Sequence, residues 1–402
     1  MAARERYLTT AEAARRLDVK PETIYAYASR GLLTSVRSGP GRGSLFAEAD
    51  VDRLAERGRE GRRPSGVVER IRTELTLLAD DELYYRGHRV ADLVGHSPVE
   101  AVARLLWSGA LGPGEPFEVP ASLRAVARAT SAALPVGSRL TDHLRVAVAA
   151  AGAADPLRFD LSPAALLPRA AEIIAVLVDA LPAVIDPADS DSPTPALAAR
   201  LWPALTDRPA APDDLELLDA ALVLLADHDL AVSTLAARVA ASARAHPYAV
   251  VSAGLGAIDG HTHGAASTLA LGFLTAALPD PVGALSERLR TGVPLPGFGH
   301  RVYQRRDPRA EVLFGLLRRR CPDAPVLAAV DELTVHAADT FPNIDLALAA
   351  LVHAAGLRPD AGEAVFALAR TVGWLAHAME EYRESPLRFR PVGVYTGERP
   401  DG

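Results

Sequence analysis

The chain has 402 residues, of which 49% are apolar and 23% charged, with a single cysteine and a formal net charge of −7. That length allows two or three domains and a sizeable core. The lone Cys321 excludes an intrachain disulfide framework or a cysteine-built zinc site. The most apolar run, "AAEIIAVLVDALPAVI", is broken by Glu172, Asp179 and Pro182 and is too short to span a bilayer. The start, "MAARERYLTT", lacks the apolar core of a signal peptide. A cytoplasmic setting with no membrane partner is expected. Alanine is abundant and aromatic content only 5%, which favours helices over sheets. Lys20 is the only lysine among 43 basic residues, which we read as composition bias rather than function.

Charge is uneven along the chain. Residues 1–63 hold 13 basic against 9 acidic side chains, so they carry +4, which leaves −11 on the rest. A basic head on an acidic body points to a polyanion partner for the head alone. Within it, "TTAEAARRLDV" places Ala11, Ala14 and Leu17 at helical spacing, with Thr9 or Thr10 as N-cap and Glu12 close behind. "KPETIYAYASRGLL" predicts a second helix with Pro21 near its first position and a stop at Gly31. "RSGPGRGSLFAEADVDRLAER" predicts a glycine-rich turn, a short strand and a third helix opened by Asp50. Helix, tight turn, helix and basic wing is the layout of a winged helix-turn-helix. It resembles the MerR/excisionase-type DNA-binding head. On that reading Thr23, Tyr25, Tyr27 and Arg30 lie on or near the groove-facing helix, and Arg37 and Arg42 sit on the wing near phosphates. The bland alternative is a small helical contact module without DNA binding.

The expected division is a winged helix-turn-helix domain over 1–57, a charged Gly/Pro-rich linker over 58–66, and a body over 67–402. The body pattern is long amphipathic helices between Pro/Gly breaks. "RIRTELTLL" alternates as a strand would, and "IDPADSDSPTP" is a polar loop with no assignable chemistry.

The chemistry-bearing clusters follow in chain order. "ADHDLAVSTLAARV" contains His228, "GHTHGAAS" His261 and His263, and "PGFGHRVYQRRDPRA" His300 and Arg309. "PNIDLALAALVHAAG" contains Asp345, "FALARTVGWLAHAMEE" Arg370 and "LRFRPVGVYTG" Arg390. Taken singly, such a histidine is more often a core residue, such an arginine a solvated charge, and "NID" a turn or N-cap. Together, three histidines, a carboxylate and several arginines suit an anionic substrate with acid–base work done on it. His261 and His263 stand two apart, so on a helix they diverge by about 200° and cannot share a metal. No metal site is expected.

In combination these segments resemble the citrate synthase family. The family's long motif around its second histidine is matched by "GFGHRVYQRRDPR", and its G-x-x-H-G-G-A pattern by "GHTHGAAS". "ADHDLAVSTLAARV", "FPNID" and "FALARTVGWLAH" match further segments in order, and "LYYRGHRVADLVGHSPVEAVARLLW" resembles the N-terminal segment. The resemblance covers about residues 67–397. It implies a mainly α, two-domain citrate synthase fold, with a small closing lobe at about 264–352, preceded by the winged helix-turn-helix. It implies an acyltransferase that condenses acetyl-CoA with oxaloacetate and water to citrate and CoA. His263 would stabilise the enolate, Asp345 would remove the methyl proton, and His300 would polarise and protonate the oxaloacetate carbonyl. His228, Arg309 and Arg370 would bind oxaloacetate carboxylates, as would Arg390 reaching in from the other subunit of a homodimer with shared active sites. Arg305 and Arg306 would serve coenzyme A. No permanently bound cofactor or metal is implied; acetyl-CoA is a co-substrate.

The chain departs from the family pattern at Ala231, where asparagine is frequent, and at Gln304, where a basic residue is frequent. It departs also in "LALAAL" after Asp345 and at Val392, which replaces an arginine. Two other readings use the same residues. One is 2-methylcitrate synthase acting on propionyl-CoA. The other is a DNA-binding transcriptional regulator whose body senses a metabolite.

Overall fold

The computed structural model describes residues 7–17, 19–29, 33, 35–37, 44–51, 70–184, 194–260, 263–337, 339–389, 391 and 395–397. Two compact units result: 72–389, and 1–71 together with 390–402.

The smaller unit begins with strand β1 (Tyr7–Thr9) and helices α1 (Thr10–Leu17) and α2 (Pro21–Ser29). Thr9 is the residue that caps α1. Its Oγ1 accepts from the Glu12 amide at 3.3 Å, and the Glu12 carboxylate accepts from the Thr9 amide at 2.8 Å. This reciprocal pair is a capping box. Strands β2 (Ser35–Arg37) and β3 (Ser44–Ala47) pair antiparallel, Val36 opposite Leu45, and β1 pairs on the far edge of β3. They form the expected wing with two strands more than the one the sequence pattern predicted. Helical turns resume at residue 48, two before Asp50. Ala13, Ala14, Ile24, Leu33, Phe46 and Val51 close a small core.

The larger unit opens with an antiparallel sheet, β4 (Thr76–Ala79), β5 (Glu82–Tyr85) and β6 (His88–Arg89). Of the alternating stretch "RIRTELTLL", only the end is strand. Asp80 and Asp81 turn the first hairpin with φ of 53° and 57°, a left-handed conformation that aspartate tolerates better than most residues.

Helices then follow one another: α3 (Val90–Leu93), α4 (Val99–Ser108), α5 (Ala121–Ala132), α6 (Leu140–Ala154), α7 (Pro163–Asp179) and α8 (Leu197–Leu205). Next come α9 (Pro212–Leu225), α10 (Val232–Ser242), α11 (Pro247–Ile258), α12 (Ala266–Ala277) and α13 (Pro281–Thr291). The last are α14 (Pro308–Arg320), α15 (Pro325–His336), α16 (Ile344–Ala354) and α17 (Ala361–Glu381). Helices α7, α9, α11, α13, α14 and α15 each start on a proline. Proline suits that position because its φ is already helical and its missing N–H would have no partner there.

Helix α17 organises the unit. Every residue in it but Glu380 is buried, including Glu363, Arg370, His377 and Glu381. A helix apolar on most of its circumference must be surrounded, and α4, α6, α7, α9, α10 and α11 all pack on it. Its polar residues therefore need partners inside the protein. On the other side α16 packs against α12, α14, α15 and α17. The starts of α14 and α16 and the turn after α9 are thus brought towards the middle of α17.

Candidate active site

The 297–303 loop is held at its start. Gly297 and Gly299 have φ of 80° and 73°, which glycine adopts without strain. The Gly299 amide donates to the Phe341 carbonyl at 2.8 Å, and the Asn343 amide donates to the Gly297 carbonyl at 2.9 Å. Asn343 also N-caps α16, its Oδ1 accepting from the Asp345 and Leu346 amides, while its Nδ2 donates to the Gly299 carbonyl at 2.8 Å. "PNID" is therefore an N-cap in addition to the source of Asp345.

This loop delivers His300 against His228. The two rings meet edge to face with centroids 5.1 Å apart, and Tyr303 completes the group at 4.8 Å from the His300 ring. Tyr303 Oη and His228 Nε2 lie 3.0 Å apart in a hydrogen bond. His300 Nδ1 accepts from the Val302 and Tyr303 amides at 3.1 and 3.3 Å. A nitrogen that accepts carries no proton, so in the neutral ring the proton sits on Nε2. Nε2–H is then the donor His300 can offer. Burial lowers the His300 pKa to about 4, with Arg309 adding to the effect and Asp307 opposing it. His228 is buried more deeply, and burial, Arg309, Arg370 and His300 hold it well below the usual histidine range.

Arg309 lies in the first turn of α14. Its Nε and Nη2 donate to the Asp307 carboxylate at 3.0 and 2.8 Å; Nη2, already committed to Asp307, stands 3.4 Å from His300 Nε2, a long contact that does not outweigh the two amides donating to Nδ1. Burial works against the charge, but Asp307 and Tyr303 more than compensate and hold Arg309 protonated. Its Nη1 makes no hydrogen bond among the described residues. Arg370, near the middle of α17, donates through Nε to the Leu225 carbonyl at 3.0 Å and stacks on Phe366. Burial lowers its pKa without neutralising so strong a base.

Asp345 occupies the first turn of α16, and Arg309 and Arg370 both act on it electrostatically. Desolvation nevertheless wins over the two cations and raises its pKa to about 6. His263 sits three residues ahead of α12, its Nε2 2.9 Å from the Ser233 hydroxyl of α10, its ring edge-on to Phe366. Burial first, and Arg370 second, lowers its pKa to about 4. Desolvation therefore keeps this histidine neutral. At neutral pH the centre holds neutral imidazoles, an ionised carboxylate that is easily protonated, and two buried guanidiniums. Such an arrangement can bind a polycarboxylate, remove a weakly acidic proton and stabilise the oxyanion that results.

The remaining sequence-predicted residues lie around this centre or outside it. Arg305 pairs with Asp81, which also accepts from the Gln304 and Arg305 amides. Arg306 pairs with Glu82 and Glu311. A cleft of about 320 Å³ opens here, lined by Leu78, Asp81, Tyr303, Gln304 and Arg305 among others. In the smaller unit Thr23 is half-buried, Tyr25 half-exposed, and Tyr27 leans on the small core. His261, Arg30, Arg42, Arg390 and the Arg37 side chain lie outside the described residues, as do Gly31 and Val392. Sequence reasoning missed Tyr303, Ser233 and Asn343 as partners. Tyr303 stands three after His300, a spacing that would have flagged it. Ser233 gives no local signal, because its contact is with a residue 30 positions away.

The family model "Citrate synthase, C-terminal domain" matches residues 66–392. This chain belongs to the citrate synthase family. The model "Helix-turn-helix domain" matches residues 7–59. The chain is 31% identical to a citrate synthase of Acidithiobacillus ferridurans over 79% of this chain and 90% of that one. It is 29% identical to a 2-methylcitrate synthase of Corynebacterium glutamicum, over 79% and 89%. In structure it is similar to the citrate synthase of Thermoplasma acidophilum in complex with carboxymethyl coenzyme A and oxaloacetate. That match has a TM-score of 0.70 at 26% identity and covers 84% of this chain and 96% of that one. The citrate synthase of Pyrobaculum aerophilum matches with a TM-score of 0.70 at 25% identity, over 83% and 92%. The mainly helical architecture of this family member is the one its sequence led us to expect. No helix of the described residues is long and apolar enough to cross a membrane, and no group of three or more potential metal-ligating side chains occurs among them.

The raised Asp345 carboxyl has a consequence for stability. Its pKa rises from 3.8 to about 6 on folding, so the folded chain binds this proton more tightly. The resulting stabilisation is complete below about pH 4 and is lost as pH rises through about 6. Asp345→Asn removes that loss. The variant is expected to be more stable than wild type at about pH 8, by up to about 3 kcal/mol, with the gap shrinking towards about pH 4. Thermal melts at the two pH values check this, and a gap independent of pH contradicts it.

Proposed function

We propose that this chain condenses acetyl-CoA with oxaloacetate and water, releasing citrate and CoA. The observation that carries the reading is the company Asp345 keeps: a carboxyl raised to about 6, beside buried Arg309 and Arg370, in a centre whose His263 and His300 are neutral. Asp345 takes a proton from the acetyl methyl. His263 donates to the thioester oxygen as negative charge develops on it, a role that needs a neutral, desolvated donor. His300, through Nε2–H, polarises the oxaloacetate ketone and protonates it as the new carbon–carbon bond forms. Arg309, Arg370 and His228 bind the oxaloacetate carboxylates, and Arg390 joins them from the partner subunit. Water then cleaves the thioester of the citryl intermediate, and the thiol leaves as CoA. Arg305 and Arg306 meet the CoA phosphates in exchange for, or in addition to, Asp81 and Glu82. Residues 264–352 close over the site and exclude water until the intermediate forms.

The working unit is a homodimer in this reading. Val232 and Val239 stand exposed one above the other on α10, a pair that another copy would cover. The smaller unit over 1–57 binds DNA, a reading supported by its helix-turn-helix match and winged layout. A cytoplasmic setting suits both partners. A second reading, propionyl-CoA as acyl donor, is favoured by the similarity to a 2-methylcitrate synthase. One methylene changes discrimination by only about 10–200-fold, so the two substrates are compared by kcat/KM on one preparation.

Wild type is expected to release CoA from acetyl-CoA only when oxaloacetate is present, and Asp345→Ala to lose about 10²–10⁴-fold in kcat. Thiol release that ignores oxaloacetate, or that survives the substitution, removes the enzyme reading and favours a metabolite sensor. Val239→Arg is expected to shift the chain to monomer mass in size-exclusion chromatography with light scattering; an unchanged dimer places the interface elsewhere. A DNA mobility shift is expected that weakens with salt and disappears when residues 1–63 are deleted. Binding that persists after the deletion rules out the head as the DNA reader.

A further inference from the structure

Asp227, directly before His228, is wholly buried, and so are His377, Arg238 and Glu381. They form one chain of contacts. Asp227 Oδ2 accepts from Thr76 Oγ1 at 2.5 Å and from the Asp229 amide at 3.2 Å, and meets His377 Nε2 at 3.3 Å. His377 Nδ1 lies 2.7 Å from Arg238 Nη1. Arg238 bonds Glu380 at 2.8 Å and Glu381 at 3.1 Å, and Glu381 takes both arms of Arg388 at 2.6 Å. Arg388 stands two residues before Arg390 in the sequence. None of these contacts belongs to the reaction described above.

The chain has a direction. A guanidinium only donates, so His377 Nδ1 must accept from Arg238. The proton of the neutral ring is then on Nε2, aimed at Asp227. Asp227 in turn fixes the turn that carries His228. Its side chain holds the Asp229 amide, its own amide donates to Tyr85 Oη at 3.1 Å, and Asp229 takes a φ of 55°. Burial disfavours the Asp227 charge, yet the hydrogen bonds from His377 and Thr76 and the nearby Arg370 cation hold its carboxyl below the usual aspartate range. The turn is pressed onto α17 at Gly373, where the Ala226 carbonyl accepts the Gly373 amide at 2.9 Å. A Cβ at Gly373 would stand 2.3 Å from Asp227 Oδ1, so "RTVGWLAH" needs glycine there for His377 and Asp227 to meet.

We propose that His377 is a positioning residue for oxaloacetate binding: Arg238 fixes its tautomer, its Nε2–H holds Asp227, and Asp227 sets the turn that presents His228. Arg238 links the same device through Glu381 to Arg388. The inference rests on the assignment of oxaloacetate as substrate. It concerns a residue that need not touch substrate, so its effect falls on oxaloacetate and spares acetyl-CoA.

The test compares His377→Gln with His377→Asn in the full chain. Glutamine places an amide nitrogen where Nε2 stood and keeps the donor to Asp227. Asparagine reaches only as far as Nδ1 and leaves a buried carboxylate short of its partner. Oxaloacetate affinity is read by calorimetry, KM for each substrate by thiol release, and folding by circular dichroism. We expect His377→Asn to weaken oxaloacetate binding and raise its KM by about tenfold with the acetyl-CoA KM unchanged, and His377→Gln to remain within about twofold of wild type. Equal behaviour of the two folded variants, or a fall in kcat with both KM values unmoved, overturns the proposal. Failure of His377→Asn alone to fold leaves His377→Gln to decide: a tenfold loss there overturns it, and wild-type affinity supports it. Wild type that binds no oxaloacetate at all overturns the substrate assignment, and the positioning role with it.

Discussion

The centre depends on one carboxylate that does no chemistry. Asp307 N-caps α14 by accepting from the Arg309 amide, grips the Arg309 guanidinium with both oxygens, and accepts from the Ile344 amide at 3.0 Å. One buried side chain therefore ties the start of α14 to the start of α16 and aims the arginine between them. Removing either partner of such a buried pair leaves the other charge unpaired, which commonly costs about 3–5 kcal/mol. Asn343 braces the same junction from the α16 side through the Gly299 carbonyl. Together they fix where His300, Arg309 and Asp345 stand before any substrate arrives, and preorganised groups need little rearrangement during reaction.

Burial then sets protonation. The same loss of solvent lowers His263 and His300 and raises Asp345, because in every case it penalises the charged form. The guanidiniums lower all three: they reinforce burial at the histidines and oppose it at Asp345. At neutral pH the outcome is a carboxylate close to its pKa among neutral imidazoles, a division of base and donors that requires no metal-derived field. No helix dipole is needed to keep His263 neutral. His263 lies outside α12, and Arg370 supplies the second contribution after burial.

What the sequence disclosed was mostly local. Pro21 marked a helix start, Thr9 or Thr10 with Glu12 behind it marked an N-cap, and Pro/Gly breaks marked the limits of helices in the body. The residues expected to work together were recognisable only as a set, through a family pattern, because each alone is ordinary. What stayed hidden was set by long-range packing. Nothing near Ser233 signals His263, nothing near Asp81 signals Arg305, and His377 looks like a core residue until Asp227 is placed beside it. The helical character of the body was legible, but not the burial of α17 on all sides, since charged residues at Arg370, His377 and Glu381 suggest a solvent face. Their partners come from α9, α10 and the chain ahead of them, which no periodicity can reveal.

The departures from the family pattern acquire separate physical meanings in this frame. Ala231 is the N-cap of α10 and makes no side-chain cap bond. Asparagine there would accept an amide of the first turn, so alanine forgoes about 1 kcal/mol of helix stability next to His228 and leaves the catalytic set itself untouched. The stretch after Asp345 lies in the buried body of α16, where Leu346, Ala347 and Leu348 are wholly covered; packing dictates those residues. Gln304 turns its amide back to the Val302 carbonyl at 3.1 Å and brings no charge to the cleft. The positive charge there comes instead from Arg305, whose exposed side chain is already engaged by Asp81. An anionic ligand entering this cleft meets a cation with a competing carboxylate, so the β4–β5 turn weakens the site's attraction for phosphate. Under the proposed assignment of Arg305 to coenzyme A, the acidic turn, more than the missing basic residue at 304, sets how strongly the acyl carrier is held.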